Sequence, residues 1–315
     1  MVMKPNLIVE RSCMTLVYAI VKLRLHHVLR RAPLATLHAL ARALARTLCT
    51  LAPSVEAEIV GALVQCYPER DPAALSAMAR RHLEHVVLNT LLFPVTGVAS
   101  FAQLEAILDH SALQPLVEES RSRMVILVAT HCYHFLLIPL LGELFFRAGV
   151  PACCSFQFDE DAPQLRAFLR RYLEKYHADF HVPINVARRT GKNARAIREY
   201  LARPSGAVAV FGDVRFRARP DDQRFTIGRG ALFANGGFRY VVEHAPASAV
   251  IVSCHLALED GKFRLKTSPR LHRDEAVARY YGDILPEQIG AQRERWQLWF
   301  MARALMMQGG SRAAG

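Results

Sequence analysis

Short, almost wholly apolar runs alternate with helix-length segments through the second half of this 315-residue chain. MVILVA at 124–129 reads as a buried strand, and YHFLLIPLLGELFFRAG after it as a helix. PACCSF is a second strand and AVAVFGD, at 207–213, a third. APQLRAFLRRYLEKYH and GKNARAIREYLARPSG between them have helical patterning, and the latter is closed by Pro204 and Gly206. Strands that alternate with helices in this way pair in parallel and bury both faces. The fold class is therefore α/β, a mostly parallel central sheet covered by helices. Another helix is expected over 230–244. SAVIVSCHLALEDGKFRLKTS reads as two strands joined at EDG. The end, RERWQLWFMARALMM, reads as helix.

Helical periodicity dominates to about residue 120, with a turn at CYPERDP, residues 66–72. Asp71 stands where it caps the helix PAALSAMARRHLEHVVLNTLL. The expected organisation is a helical N-terminal region over 1–120, an α/β core over 121–307 and a flexible tail over 308–315. These form one integrated domain. Near the start, only eight apolar residues, Met14–Val21, precede Lys22 and Arg24. A membrane span needs about 20. Leu23, Val28 and Leu34 sit among Lys22, Arg24, Arg30 and Arg31. Such a basic amphipathic stretch suits a membrane interface, and it equally suits a helix packed on the domain with a solvated basic face.

The net charge of +12 and pI near 9.7 favour an acidic partner. An anionic membrane surface, an acidic carrier protein and phosphate-bearing substrates all qualify. Nucleic acid is not expected, because the basic stretches lack interleaved aromatics, a helix-turn-helix or a zinc pattern. The seven cysteines are scattered and contain no CxxC pair, so no metal site is expected. A reduced, cytoplasmic location follows, peripheral on the inner face of the cell membrane if the basic segment engages it.

The strand MVILVA delivers His131 to its end, where α/β enzymes place chemistry. The order of segments resembles the late acyltransferases of lipid A biosynthesis, within the lysophospholipid acyltransferase superfamily. VGALVQCYPERDPAALSAMARRHLEH is similar to that family's "NL…cFPe" segment and following helix. ILVATHCYHF is similar to the strand carrying its histidine. RRTGKNARAIREYLARPSGAVAVFGDVRF resembles the helix, Gly turn and "PDqD" strand end, with Asp213 at the first acid. FTIGRGALFANGGFRYVVEHAPASAVIVS and RERWQLWFMAR resemble the segments that follow. Together these cover roughly residues 15 to 305. The resemblance implies a glycerolipid acyltransferase-like fold and acyl transfer from an acyl-carrier-protein or coenzyme A thioester, without a cofactor. It implies His131 as the base that deprotonates the acceptor. It also places the basic cluster around Arg188, Arg215, Arg217 and Arg229 toward the donor's phosphopantetheine or the acceptor's anionic head.

One departure matters. The family signature is His, four residues, then Asp or Glu, and here that place holds Leu136. Losing the orienting acid of a Ser-His-Asp triad costs about 10⁴ in turnover. HLALED puts His255 and Asp260 at the right count, but on a strand the pair would be about 16 Å apart. Asp213 is a candidate surrogate acid, or else a cap for the loop DVRFRARPDDQRF. His134 is a candidate proton relay on the same helical face, or a core histidine. Cys132 with His131 as base would make a thiol nucleophile, but cysteine is commonly just buried. Two functions are therefore weighed. One is an acyltransferase with an atypical site and a hydroxyl or amine acceptor, the amine suiting a missing acid. The other is a catalytically silent relative that binds acyl chains or an acyl carrier. A carboxylate beside an accessible His131 favours the first. A His131 sealed under Leu136 and Phe135 favours the second.

Overall fold

The structure, a computed structural model, describes residues 5–155, 197–213, 222–234 and 236–299, together with 302 and 306. The helix expected at APQLRAFLRRYLEKYH, the start of the one at GKNARAIREYLARPSG and the tail over 308–315 lie outside the described residues. The helical N-terminal part comprises α1 (Pro5–Lys22), α2 (His26–Leu29), α3 (Leu34–Leu51), α4 (Pro53–Cys66), α5 (Pro72–Thr96) and α6 (Phe101–Ile107). A two-residue strand, β1 (Leu108–Asp109), and α7 (Gln114–Glu119) lead into β2 (Met124–Ala129), α8 (His134–Arg147) and β3 (Ala152–Ser155). Then come β4 (Gly206–Phe211), β5 (Gln223–Ile227), β6 (Gly230–Ala234), α9 (Gly237–His244), β7 (Val250–Glu259) and β8 (Lys262–Thr267). A π-helical turn over Tyr280–Ile284 joins α10 (Arg273–Arg279) to α11 (Leu285–Ala291).

The main sheet has six strands in the order β1-β8-β7-β2-β4-β3, and only β7 and β8 pair antiparallel. β2 lies in its middle, and all six of its residues are buried. That position explains its unbroken apolar run, since both its faces meet helices. The β7–β8 hairpin turns at Asp260 and Gly261, both with positive φ, as a two-residue hairpin turn requires. β1 interrupts the mainly helical part before residue 120. It adds a short parallel edge strand beside β8, too short for a sequence period to reveal.

α5 is the spine of the helical part. The Asp71 carboxylate accepts the Ala74 N–H at 3.0 Å and so caps it, and Pro72 occupies its first turn. Its second half is buried from Val86 to Thr96, and the helix packs against α1, α3, α4 and α8. Buried apolar residues from Val9 to Ala302 form one contiguous core, so the helices and the sheet share it.

The helix expected over 230–244 is divided, which corrects the sequence reading. Residues 230–234 pair with β5 as β6, and α9 starts only at Gly237. The apolar residues of GALFA alternate inward and outward, the period of a strand. Gly228, at φ +57, begins the two-residue turn before β6. A Cβ there would come within 2.1 Å of the Cys66 carbonyl oxygen, and Arg229 N–H donates to that same oxygen at 2.8 Å. The hairpin is thus seated on the CYPERDP turn. The segment RERWQLWF also differs from expectation. Residues 292–295 and 297–298 form turns, the Gln297 N–H donates to the His131 carbonyl at 2.9 Å, and Trp299 and the described residues 302 and 306 are helical.

Candidate functional site

β2 and β4 are parallel neighbours in a register that sets Ala129 opposite Phe211. The Gly212 N–H donates to the Ala129 carbonyl at 3.0 Å and carries the pairing one step further. His131 and Asp213 therefore overhang the same end of the sheet, each two residues past its strand. That end is the carboxyl edge of the parallel strands, where ligands bind in open α/β sheets. Gly212 is required beside them. A Cβ on it would lie 2.5 Å from the Tyr280 ring and 2.7 Å from Val128.

The two side chains meet. His131 Nδ1 lies 2.6 Å from Asp213 Oδ1, and the His131 backbone N–H donates to Oδ2 at 2.8 Å. The Trp296 indole N–H donates to Oδ2 as well, also at 2.8 Å. Asp213 is fully buried, whereas the His131 side chain keeps 15% exposure. An ionised carboxylate only accepts, so the contact puts the imidazole proton on Nδ1 and leaves Nε2 as the basic nitrogen. Nε2 has no hydrogen-bond partner among the described residues. Phe211, with its ring centroid 4.4 Å away, and His134, at 4.8 Å, flank the imidazole.

Backbone geometry fixes this arrangement. Tyr133 sits at φ +53 where α8 begins, a conformation unfavourable for a bulky side chain. Its hydroxyl lies 2.6 Å from His85 Nδ1 on α5, and both residues are buried. Burial pushes the Tyr133 phenol well up, so it keeps its proton and donates. Burial first, and then the Arg295 charge, push His85 down to about 3, so its ring is neutral and accepts. The left-handed Tyr133 thus turns the chain between His131 and α8, while the Gln297 N–H holds the His131 carbonyl from the other side.

His134 lies beside His131 but supplies no charge. Burial, and then His131, hold its pKa well below the ordinary histidine range, and Asn89 Nδ2 lies 3.3 Å from its Nδ1. Cys132 is 1% exposed. Burial, and next the Asp213 charge, push its thiol up to about 12, the opposite of an activated nucleophile. Leu136 is fully buried among the core residues of α8. His255 lies within β7, where burial lowers its pKa to about 4, and Asp260 stands exposed in the hairpin turn. Arg229 is exposed at the tip of the β5–β6 hairpin, and no hydrogen bond or ion pair ties its side chain to His131 or Asp213. Arg188, Arg215 and Arg217 lie outside the described residues. No group of three His, Cys, Asp or Glu side chains suited to a metal ion occurs among the described residues.

On sequence, Trp296 stands within RERWQLWFMARALMM, a segment expected to be helical, with no partner evident for its indole. Trp296 is fully buried, and Trp299 and Phe225 pack on its ring at centroid distances of 5.0 and 6.5 Å. A buried indole N–H needs an acceptor, and that requirement was the one available signal. No protein-family model matches this chain, and no curated protein matches it.

Proposed function

We propose that this protein is an acyltransferase whose base is the His131–Asp213 pair. The observation that carries the reading is the 2.6 Å contact between His131 Nδ1 and a buried carboxylate at the carboxyl edge of the sheet. The order of segments, similar to the lipid A late acyltransferases and their glycerolipid acyltransferase-like fold, supplies the reaction class. In the reaction, Nε2 takes the proton of an acceptor hydroxyl or amine as that atom attacks the thioester carbonyl. Asp213 holds the ring in the tautomer that leaves Nε2 basic and stabilises the imidazolium that forms. Collapse of the tetrahedral intermediate expels the thiolate of an acyl carrier protein or of coenzyme A. The imidazolium returns its proton to that sulfur, so the pair is regenerated each turnover.

The absent acid at Leu136 had favoured an amine acceptor. With Asp213 in contact, that preference has no remaining support, and a hydroxyl acceptor stands equally well. A His131 sealed under Leu136 and Phe135 would have favoured the silent binder, and the Asp213 carboxylate beside a partly exposed His131 supports the enzyme instead. The test is mass spectrometry of products after incubation with acyl-carrier and coenzyme A thioesters and a panel of hydroxyl and amine acceptors. An acylated product that disappears with His131→Ala is expected. Undiminished transfer by a folded His131→Ala protein would remove the base assignment.

A further inference from the structure

We propose that the corner between α1 and α2, residues 22–31, is a docking surface for an anionic lipid bilayer. This inference is independent of the acyl-transfer reading. Leu23, Leu25 and Val28 are 66%, 44% and 68% exposed, three large apolar side chains within six residues. Lys22, Arg24 and Arg31 are exposed around them, with no carboxylate partner among the described residues. The surrounding sequence is one-sided in charge. Between Glu10 and Glu56 there is no acidic residue, while six arginines and Lys22 occur. Apolar tips inside a ring of cations without carboxylate partners match a bilayer whose headgroups carry negative charge.

The corner is built rather than frayed. The Leu25 N–H donates to the Ile20 carbonyl at 2.9 Å and the Arg24 N–H to the Val21 carbonyl at 3.1 Å. This pair of bonds ends a helix through one left-handed residue, a place that usually holds glycine. Here it is Arg24, at φ +56. A long cationic side chain therefore stands at the apex in a backbone state that disfavours it. On the inner side, His26 is buried, and its Nδ1 lies 3.3 Å from the Ile20 carbonyl. Val9, Val17 and Ile20 bury the inner face of α1 in the core. Leu34, grouped with Leu23 and Val28 on sequence, turns inward instead. No single helix among the described residues is long and apolar enough to cross a bilayer.

The experiment is co-sedimentation of the full chain with vesicles of phosphatidylcholine alone and of phosphatidylcholine mixed with phosphatidylglycerol. Binding to the mixed vesicles that weakens with salt is expected. The combined variant Leu23→Ser, Leu25→Ser, Val28→Ser should bind them about tenfold or more weaker, and so should Lys22→Glu combined with Arg24→Glu. Unchanged binding by either variant overturns the proposal, as does equal binding to neutral vesicles. A serine variant that loses only self-association while keeping vesicle binding also overturns it, because the corner then meets a second copy. Hydrogen exchange on the unaltered protein decides the matter if a variant fails to fold. Vesicles should protect residues 22–31, and unchanged exchange there overturns the proposal.

Discussion

Asp213 accepts from three donors at once, and each replacement around it has a different expected result. Asp213→Asn cannot hold His131 as the carboxylate does, and it removes the charge opposite the imidazolium. Turnover should fall by up to about 10⁴ in kcat, measured on protein that still melts cooperatively. Trp296→Phe removes one charge-assisted bond, worth about 1.5–3 kcal/mol, and leaves His131 in contact with Asp213. Its melting temperature should drop, and kcat should fall far less than in Asp213→Asn. Leu136→Asp puts an acid at the position where the lipid A late acyltransferases carry one, yet it should destabilise the protein rather than aid turnover. Leu136 is fully buried, and His131 Nδ1 is already engaged. An unpaired carboxylate there costs several kcal/mol, so this variant should unfold at lower denaturant and should not rescue Asp213→Asn.

Elements, rather than single residues, decided what could be read in advance. β2, β4 and β7 were legible because a strand covered on both faces leaves an unbroken apolar run. Asp71 was legible because a cap acts within three residues of itself. β6 was not. GALFA followed by NGGFRY carries enough apolar residues for a helix, and only its seating on Cys66 makes the strand the better solution. The turned segment before Trp299 escaped notice for the same reason, since the Gln297–His131 bond joins residues far apart in sequence. At the site, His131 was identified by its place at a strand end, while Asp213 remained one of two readings. Its partner depends on strand register, which a sequence does not print. The hairpin seat makes a further prediction. Gly228→Ala would bring a methyl group within 2.1 Å of a backbone oxygen and strain a positive φ. The hairpin should detach from α4, seen as faster hydrogen exchange over 223–234, with a stability loss of about 1–3 kcal/mol.

The molecule as a whole buries histidines in neutral form, and this couples its stability to pH. Burial lowers His82 and His85 to about 3 each, from 6.5 in the unfolded chain. A depressed histidine pKa means that the unfolded chain takes up protons first on acidification. The stability is therefore present above pH 6.5 and lost as the pH falls from there toward 3. Between pH 7 and pH 5 each of the two should cost about 2 kcal/mol, read from denaturant midpoints at the two pH values. His82→Gln should shrink that difference, and an unchanged difference would show that His82 is charged or exposed in the native protein. The register that sets Ala129 opposite Phe211 bears on the whole chain in another way. His131 and Asp213 are 82 residues apart, and the ladder between their strands brings them side by side. Their spacing along the chain is consequently unconstrained. Residues could be added or lost in the connection between β3 and β4 while the strand register is kept, whereas a slip of one rung would turn one of them to the opposite face. The site is measured across the sheet instead of along the sequence, so a search for a fixed-length motif passes over a pair of this kind.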